Sequence, residues 1–123
     1  MRVLLCDDNR DAADVLCAVL QTSGHEVSVC YDGRRCLEKA RQWRPQVALL
    51  DLGMPGMTGY EVAKSIRQMD FGRQALLIAI TGYGTQEDRR LTEEAGFDLH
   101  LTKPAAAQGV LDVIEEYAAR SAR

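Results

Sequence analysis

Aromatic residues are few, at 6% of the 123-residue chain. That scarcity excludes a stacking platform for single-stranded nucleic acid. Excess charge is also lacking: the formal net charge is −3. Such a small negative balance argues against broad, charge-driven binding to nucleic acid or to an anionic membrane. No apolar run approaches the length that spans a bilayer. There is no Cys-x-x-Cys pair, and Cys6, Cys17, Cys30 and Cys36 do not follow the spacings of a small disulfide framework or a zinc site. They read as small buried hydrophobes of a reducing compartment. The opening run Val3-Leu4-Leu5-Cys6 meets Asp7 and Asp8 too soon for a signal peptide. The expected location is cytoplasmic. No Gly-x-x-x-x-Gly-Lys-Ser/Thr run occurs, and Gly82-Tyr83-Gly84 is too short for a dinucleotide fingerprint. Linkers, low-complexity tracts and strong internal repeats are absent as well.

What is present is the make-up of an ordinary globular domain, 46% hydrophobic and 27% charged. The length suits one domain, residues 1–123. A chain of this size buries roughly two-thirds of the surface its unfolded form exposes, so it folds without disulfide or metal.

Short apolar runs alternate with periodic segments. Val3 to Cys6 predicts a strand. Asp11 to Leu20 predicts a helix with Ala12, Val15, Leu16 and Val19 inward, ended by Gly24. Val27 to Cys30 is a second strand. Asp32 caps a helix that buries Cys36, Leu37 and Ala40, and Pro45 separates it from a third strand, Val47 to Leu50. Thr58-Gly59-Tyr60-Glu61 has the capping-box pattern and starts a helix burying Val62, Ala63, Ile66 and Met69. Ala75 to Ile80 is the fourth strand. Thr85 caps a fourth helix, whose first turn holds Glu87 and Asp88 and whose end is Gly96. Phe97 to Leu101 is the fifth strand. A last helix buries Val110, Leu111, Ile114 and Tyr117 and frays from Ser121. Five βα units with near-continuous apolar strands imply an α/β fold, a parallel sheet covered by helices on both faces.

In such a sheet ligands bind beyond the carboxyl ends of the strands. Asp7 and Asp8 follow the first strand, Asp51 the third, Thr81 the fourth, and Lys103-Pro104 the fifth. Three carboxylates, a hydroxyl and an ammonium would converge on one rim. Carboxylate oxygens are the ligands Mg²⁺ prefers. A carboxylate can also attack phosphorus and form an acyl phosphate, while lysine and threonine steady the transferred oxygens. Gly53 and Gly82 would let backbone N–H groups come close. Taken singly, each residue has a plainer reading: Asp8 as a helix cap, Asp51 and Lys103 as a salt bridge, Thr81 as the start of a loop.

Asp7-Asp8, the segment Leu49-Leu50-Asp51-Leu52-Gly53-Met54-Pro55-Gly56, Thr81-Gly82 and Lys103-Pro104 together resemble the receiver domain of two-component response regulators, over essentially the whole chain. The resemblance implies a single doubly wound, five-stranded, flavodoxin-like sheet in the order 2-1-3-4-5. It implies Asp51 as phosphoacceptor, and Asp8, Asp51 and the Gly53 carbonyl as Mg²⁺ ligands, with Asp7 acting through a water. Lys103 then pairs with the phosphoryl group, held by a cis bond to Pro104, and Thr81 is the switch hydroxyl. His100 stands where the family usually carries a rotating tyrosine or phenylalanine, so it is the candidate second switch residue. Met54 is expected to line the approach to the site, and Gly53 and Tyr83 to gate water. The implied partner is a sensor histidine kinase or histidine phosphotransfer protein, with no nucleic acid or membrane contact. The implied state is a monomer or weak phosphorylation-dependent dimer. The sequence flavour is similar to receivers of hybrid sensor kinases. Two other readings compete, a degenerate receiver that only binds partners and a Mg²⁺-dependent phosphohydrolase. Against the latter, Gly53 stands where such enzymes commonly place an acid.

Overall fold

A computed structural model describes residues 1–82, 86–102 and 107–121, with Ala107 and Ser121 described in backbone only. The elements run β1 (Arg2–Cys6), α1 (Arg10–Thr22), β2 (Glu26–Cys30), α2 (Gly33–Trp43), β3 (Val47–Asp51), α3 (Gly59–Arg67), β4 (Leu76–Thr81), α4 (Gln86–Ala95), β5 (Leu99–Thr102) and α5 (Ala107–Ser121). The five strands are parallel, in the order β2-β1-β3-β4-β5. This is the expected doubly wound order, and it sets β1 beside β3 in the middle of the sheet. Every residue of β3 and β4 is buried, which is why these strands are apolar throughout rather than alternating.

The strand period of two divides the core. Leu4, Cys6, Ala48, Leu50, Leu77 and Ala79 pack on one side with Cys36, Leu37 and Ala40 of α2 and Val62, Ala63 and Ile66 of α3. Val3, Leu5, Val47, Leu49, Ile78 and Ile80 pack on the other with Ala13 and Leu20 of α1 and Val110, Leu111 and Ile114 of α5.

Local chemistry sets the boundaries. The Asp32 side chain caps α2 by accepting from Arg35 N at 2.8 Å. Thr58 and Glu61 complete the capping box: Thr58 Oγ1 accepts from Glu61 N at 3.3 Å, and Glu61 Oε1 accepts from Thr58 N at 3.4 Å. The cap of α1 is Asn9, whose Oδ1 accepts from Ala12 N at 3.1 Å, not Asp8. The inward face of α1 also differs from the expected one. Ala13 and Leu20 are buried, and Leu16, Cys17 and Val19 partly so, as expected for Leu16 and Val19, while Ala12 is exposed and Val15 is 66% exposed. Positions 13, 16, 17 and 20 follow the helical period as well as the expected set does, and the sheet is met by that stripe. The fifth strand starts two residues later than expected. Phe97 N donates to Thr92 O at 3.0 Å to close α4, and Asp98 N reaches Leu77 O at 2.9 Å. Phe97 is therefore a buried plug ahead of the strand. Met69 lies past α3 but still packs on the core. The proposed cap Thr85 lies outside the described residues, and α5 continues to Ser121.

All four cysteines are unpaired thiols, Cys6 and Cys36 buried, Cys17 and Cys30 partly exposed. Burial pushes the Cys30 thiol up to about 11. The hydrogen bond with Cys6, and then burial, push Cys36 up as well. Groups that resist ionisation behave as small hydrophobes.

A single arginine ties the amino-terminal edge of the sheet. Arg67 Nε donates to Gly96 O at 2.8 Å, Nη1 donates to Gly72 O and Ala75 O at 2.7 Å each, and Nη2 pairs with Asp98 Oδ2 at 2.8 Å. Asp98 Oδ2 also accepts from Leu77 N at 2.9 Å. Arg67→Met should lower stability by about 3 kcal/mol, because carbonyls and a carboxylate lose a shared cation. Arg67→Lys should recover little, since an ammonium cannot reproduce the planar fork. Urea denaturation of the three proteins checks this.

Candidate functional site

The central pair of strands builds the site. Cys6 and Leu50 are register partners across β1 and β3, so the next residues, Asp7 and Asp51, emerge side by side at the carboxyl edge. Asp7 N donates to Cys30 O at 3.2 Å, and Asp7 Oδ1 accepts from Asn9 N at 3.0 Å. That bond turns the chain into α1 and leaves Asp8 exposed at the rim. Asp51 is the last residue of β3 rather than the first beyond it. Its Oδ1 accepts from Gly53 N at 3.1 Å, and Leu52 N donates to Ile80 O at 3.0 Å, so the loop leans toward β4.

Asp7, Asp8 and Asp51 each offer a carboxylate oxygen, and these oxygens all lie within 4.8 Å of one another. Asp7 and Asp51 are each only 4% exposed. Carboxylates packed this tightly repel one another, and a nearby cation relieves that repulsion. A hard, all-oxygen donor set at an open rim suits Mg²⁺, which keeps several waters and takes one or two carboxylates. The residues present therefore fit that ion.

Thr81 ends β4, buried, one rung beyond Ile80, the register partner of Asp51. Thr81 pairs with Thr102, the residue before Lys103. Lys103, Pro104 and Tyr83 lie outside the described residues. Gly82 is exposed with open space about it, and a side chain at Gly53 would meet Asp51 Oδ1 only at an ordinary 3.8 Å. Gly59 is different: a Cβ there would lie 2.5 Å from Asp51 O. The capping box at Thr58 thus sets α3 directly against the end of β3.

Met54 does not line the approach. It is 2% exposed, and its Sδ lies 3.3 Å from Cys6 Sγ within the core. Beyond Gly53 the chain turns this apolar side chain back under the loop. Sequence reasoning also missed Asp88. By sequence it is only a first-turn acid, yet it accepts from Tyr60 Oη of α3 at 3.5 Å and acts electrostatically on His100 of β5, favouring its charged form. No local signal marks that meeting of three elements.

A family model described as the response regulator receiver domain matches residues 3–115. The chain belongs to this family. As a receiver domain of two-component signalling, it is similar in structure to the chemotaxis protein CheY4 of Vibrio cholerae. The TM-score there is 0.89 at 28% identity, covering 94% of this chain and 97% of the other. It is also similar to the receiver domain of sensor histidine kinase PA1611 from Pseudomonas aeruginosa, whose structure holds a magnesium ion in the active-site cleft. That TM-score is 0.86 at 28% identity, covering 94% of this chain and 95% of the other. The transcriptional regulatory protein PrrA of Mycobacterium leprae is 36% identical over 84% of this chain, which spans 43% of that longer relative. Receivers of two-component systems work with histidine kinases or phosphotransfer proteins. Among the described residues, no helix of this receiver is long and apolar enough to cross a membrane.

Proposed function

We propose that this receiver is a phosphorylation-controlled switch in which Asp51 accepts a phosphoryl group from a phosphohistidine donor. The observation that supports it most is the convergence of the Asp7, Asp8 and Asp51 carboxylates at the carboxyl edge of the central strands. An Asp51 oxygen attacks phosphorus in line, and the bond from phosphorus to the donor imidazole breaks. Asp8, Asp51 and the Gly53 carbonyl would hold Mg²⁺, with Asp7 through a water, and the ion would neutralise charge on the phosphoryl oxygens. Lys103 supplies a second positive charge. The Thr81 hydroxyl donates to a phosphoryl oxygen and is drawn toward it. The α4–β5–α5 surface then shifts between two packings, and His100 follows Thr81.

In this reading the protein catalyses only its own phosphorylation and dephosphorylation. Gly53 places no acid beside the leaving group, so a separate phosphate ester is not turned over. The partner is a sensor kinase or phosphotransfer protein, in a cytoplasmic setting, with the receiver a monomer or weak phosphorylation-dependent dimer. We propose no nucleic-acid contact for this chain itself; the transcriptional role of PrrA is stated of a longer protein, of which this chain spans 43%.

Intact mass after incubation with acetyl phosphate tests the reading. One added phosphoryl group with Mg²⁺ and none with chelator is the expected result. No adduct, together with no binding of beryllofluoride and Mg²⁺, would leave a pure interaction module. Hydrolysis offers a second measurement. Gly53 leaves one flank of the acyl phosphate open to water, and the space beside it accepts a side chain. Gly53→Arg should therefore slow autodephosphorylation by roughly tenfold, a modest change in water access. An unchanged rate counts against this flank as the route of water.

A further inference from the structure

His100 of β5 stands out among the described residues. Both ring nitrogens, Nδ1 and Nε2, are shielded from water, and neither has a hydrogen-bond partner. A buried polar group in that condition calls for a physical account. Its strand partner is Ala79, and Thr81 follows on the same face, paired with Thr102. Among the described residues, the charges that act on the ring belong to α4, Arg89 and Asp88, and Tyr60 of α3 donates to Asp88. β4 presents Ala79, which has no charge. Burial holds the imidazole below its ordinary pKa, Arg89 acts in the same direction, and Asp88 opposes them. The neutral ring tolerates its lodging; an imidazolium there would be charged, shielded and unpaired.

We propose that His100 makes the α4–β5 surface proton-sensitive: the neutral ring keeps its water-shielded place on β5, and the protonated ring turns outward to water and the Asp88 carboxylate, taking the first turn of α4 with it. Acid therefore favours the outward state, and rising pH favours the lodged one. A link to the site rests on the reading of Asp51 as phosphoryl acceptor. A Thr81 hydroxyl drawn toward an anion at Asp51 vacates room on the face it shares with His100. The neutral ring fills that room and the imidazolium does not. Proton and anion then oppose each other, and the opposition is reciprocal.

The test is an NMR titration of the imidazole and backbone amides between acid and neutral pH. In the free protein, protonation of His100 should move the amide signals of Asp88, Arg89 and Thr81. The same signals should hold still in His100→Phe, and Asp88→Asn should lower the pKa of His100. A ring that titrates at the ordinary value, with α4 signals unmoved, overturns the proposal whether or not Asp51 takes a phosphoryl group. The second arm uses beryllofluoride with Mg²⁺ as probe. Its affinity should fall on acidification by roughly threefold or more relative to His100→Phe, and each pKa unit between free and bound forms makes a tenfold change. Equal pH dependence in the two proteins overturns the link while leaving Asp51 as acceptor. Failure of the probe to bind at any pH counts against the acceptor reading, and the first arm still decides the ring.

Discussion

Asp51→Asn should gain no phosphoryl group from acetyl phosphate and Mg²⁺, while its fold stays that of the wild type. The amide is close to isosteric with the carboxylate. Its Oδ1 can still accept from Gly53 N, the bond that shapes the loop after β3. What is lost is the anionic nucleophile. An amide oxygen is a much poorer donor to phosphorus, so the expected loss is complete rather than partial. The substitution also removes one of three negative charges whose oxygens lie within 4.8 Å of one another. Without metal the variant should therefore be at least as stable as the wild type. Metal should stabilise the wild type more than the variant. Intact mass and thermal unfolding, each with and without Mg²⁺, read both effects. An adduct that persists in Asp51→Asn would place the acceptor elsewhere.

Gly72→Ala should be the most damaging glycine-to-alanine change among the described residues. A Cβ on Gly72 would sit 1.6 Å from Ile66 O and 2.6 Å from Ile66 C. Those are backbone atoms at the end of α3, so no rotamer relieves the overlap. The turn must open, and it carries Gly72 N to Met69 O at 3.0 Å and the Arg67 bond to Gly72 O. A loss of about 4 kcal/mol or more is expected, in the range that marks a steric and hydrogen-bond failure together. Gly109→Ala is the control. It lies within α5 with nothing inside 4 Å of its Cβ position, and should gain about 0.5–1 kcal/mol from helix propensity. Urea midpoints of the two variants should move in opposite directions.

Where local chemistry decides the structure, it was legible in the sequence. The capping box at Thr58 and the cap at Asp32 appear where the residue types require them. The apolar runs of β3 and β4 announce burial on both faces. The carboxylates at strand ends follow from topology: once β1 and β3 are neighbours, Asp7 and Asp51 must meet. Long-range packing was not legible. Val15 and Leu16 fit the same period, and only the angle at which α1 meets the sheet separates them. Met54 reads as loop, and its burial depends on a sulfur of β1 that lies 48 positions away. Arg67 carries no local mark, since its acidic partner Asp98 is 31 positions away. The unpartnered ring nitrogens of His100 carry no mark in the pattern along β5.

The uneven burial of the five strands has a consequence for how signal and site coexist. Asp7 and Asp51 hang from β1 and β3, the interior strands, whose amides open only with most of the sheet. β5, with a burial pattern from exposed to intermediate, is an edge strand held on one side by β4 alone. Local opening free energy should thus fall steeply from the centre of the sheet to this edge. On the proposed reading, the strands that would hold the phosphoryl group are the ones expected to resist opening, and the edge that would report it is expected to open most readily. Phosphorylation at Asp51, as proposed, could then move the edge without loosening the strands that carry the acceptor.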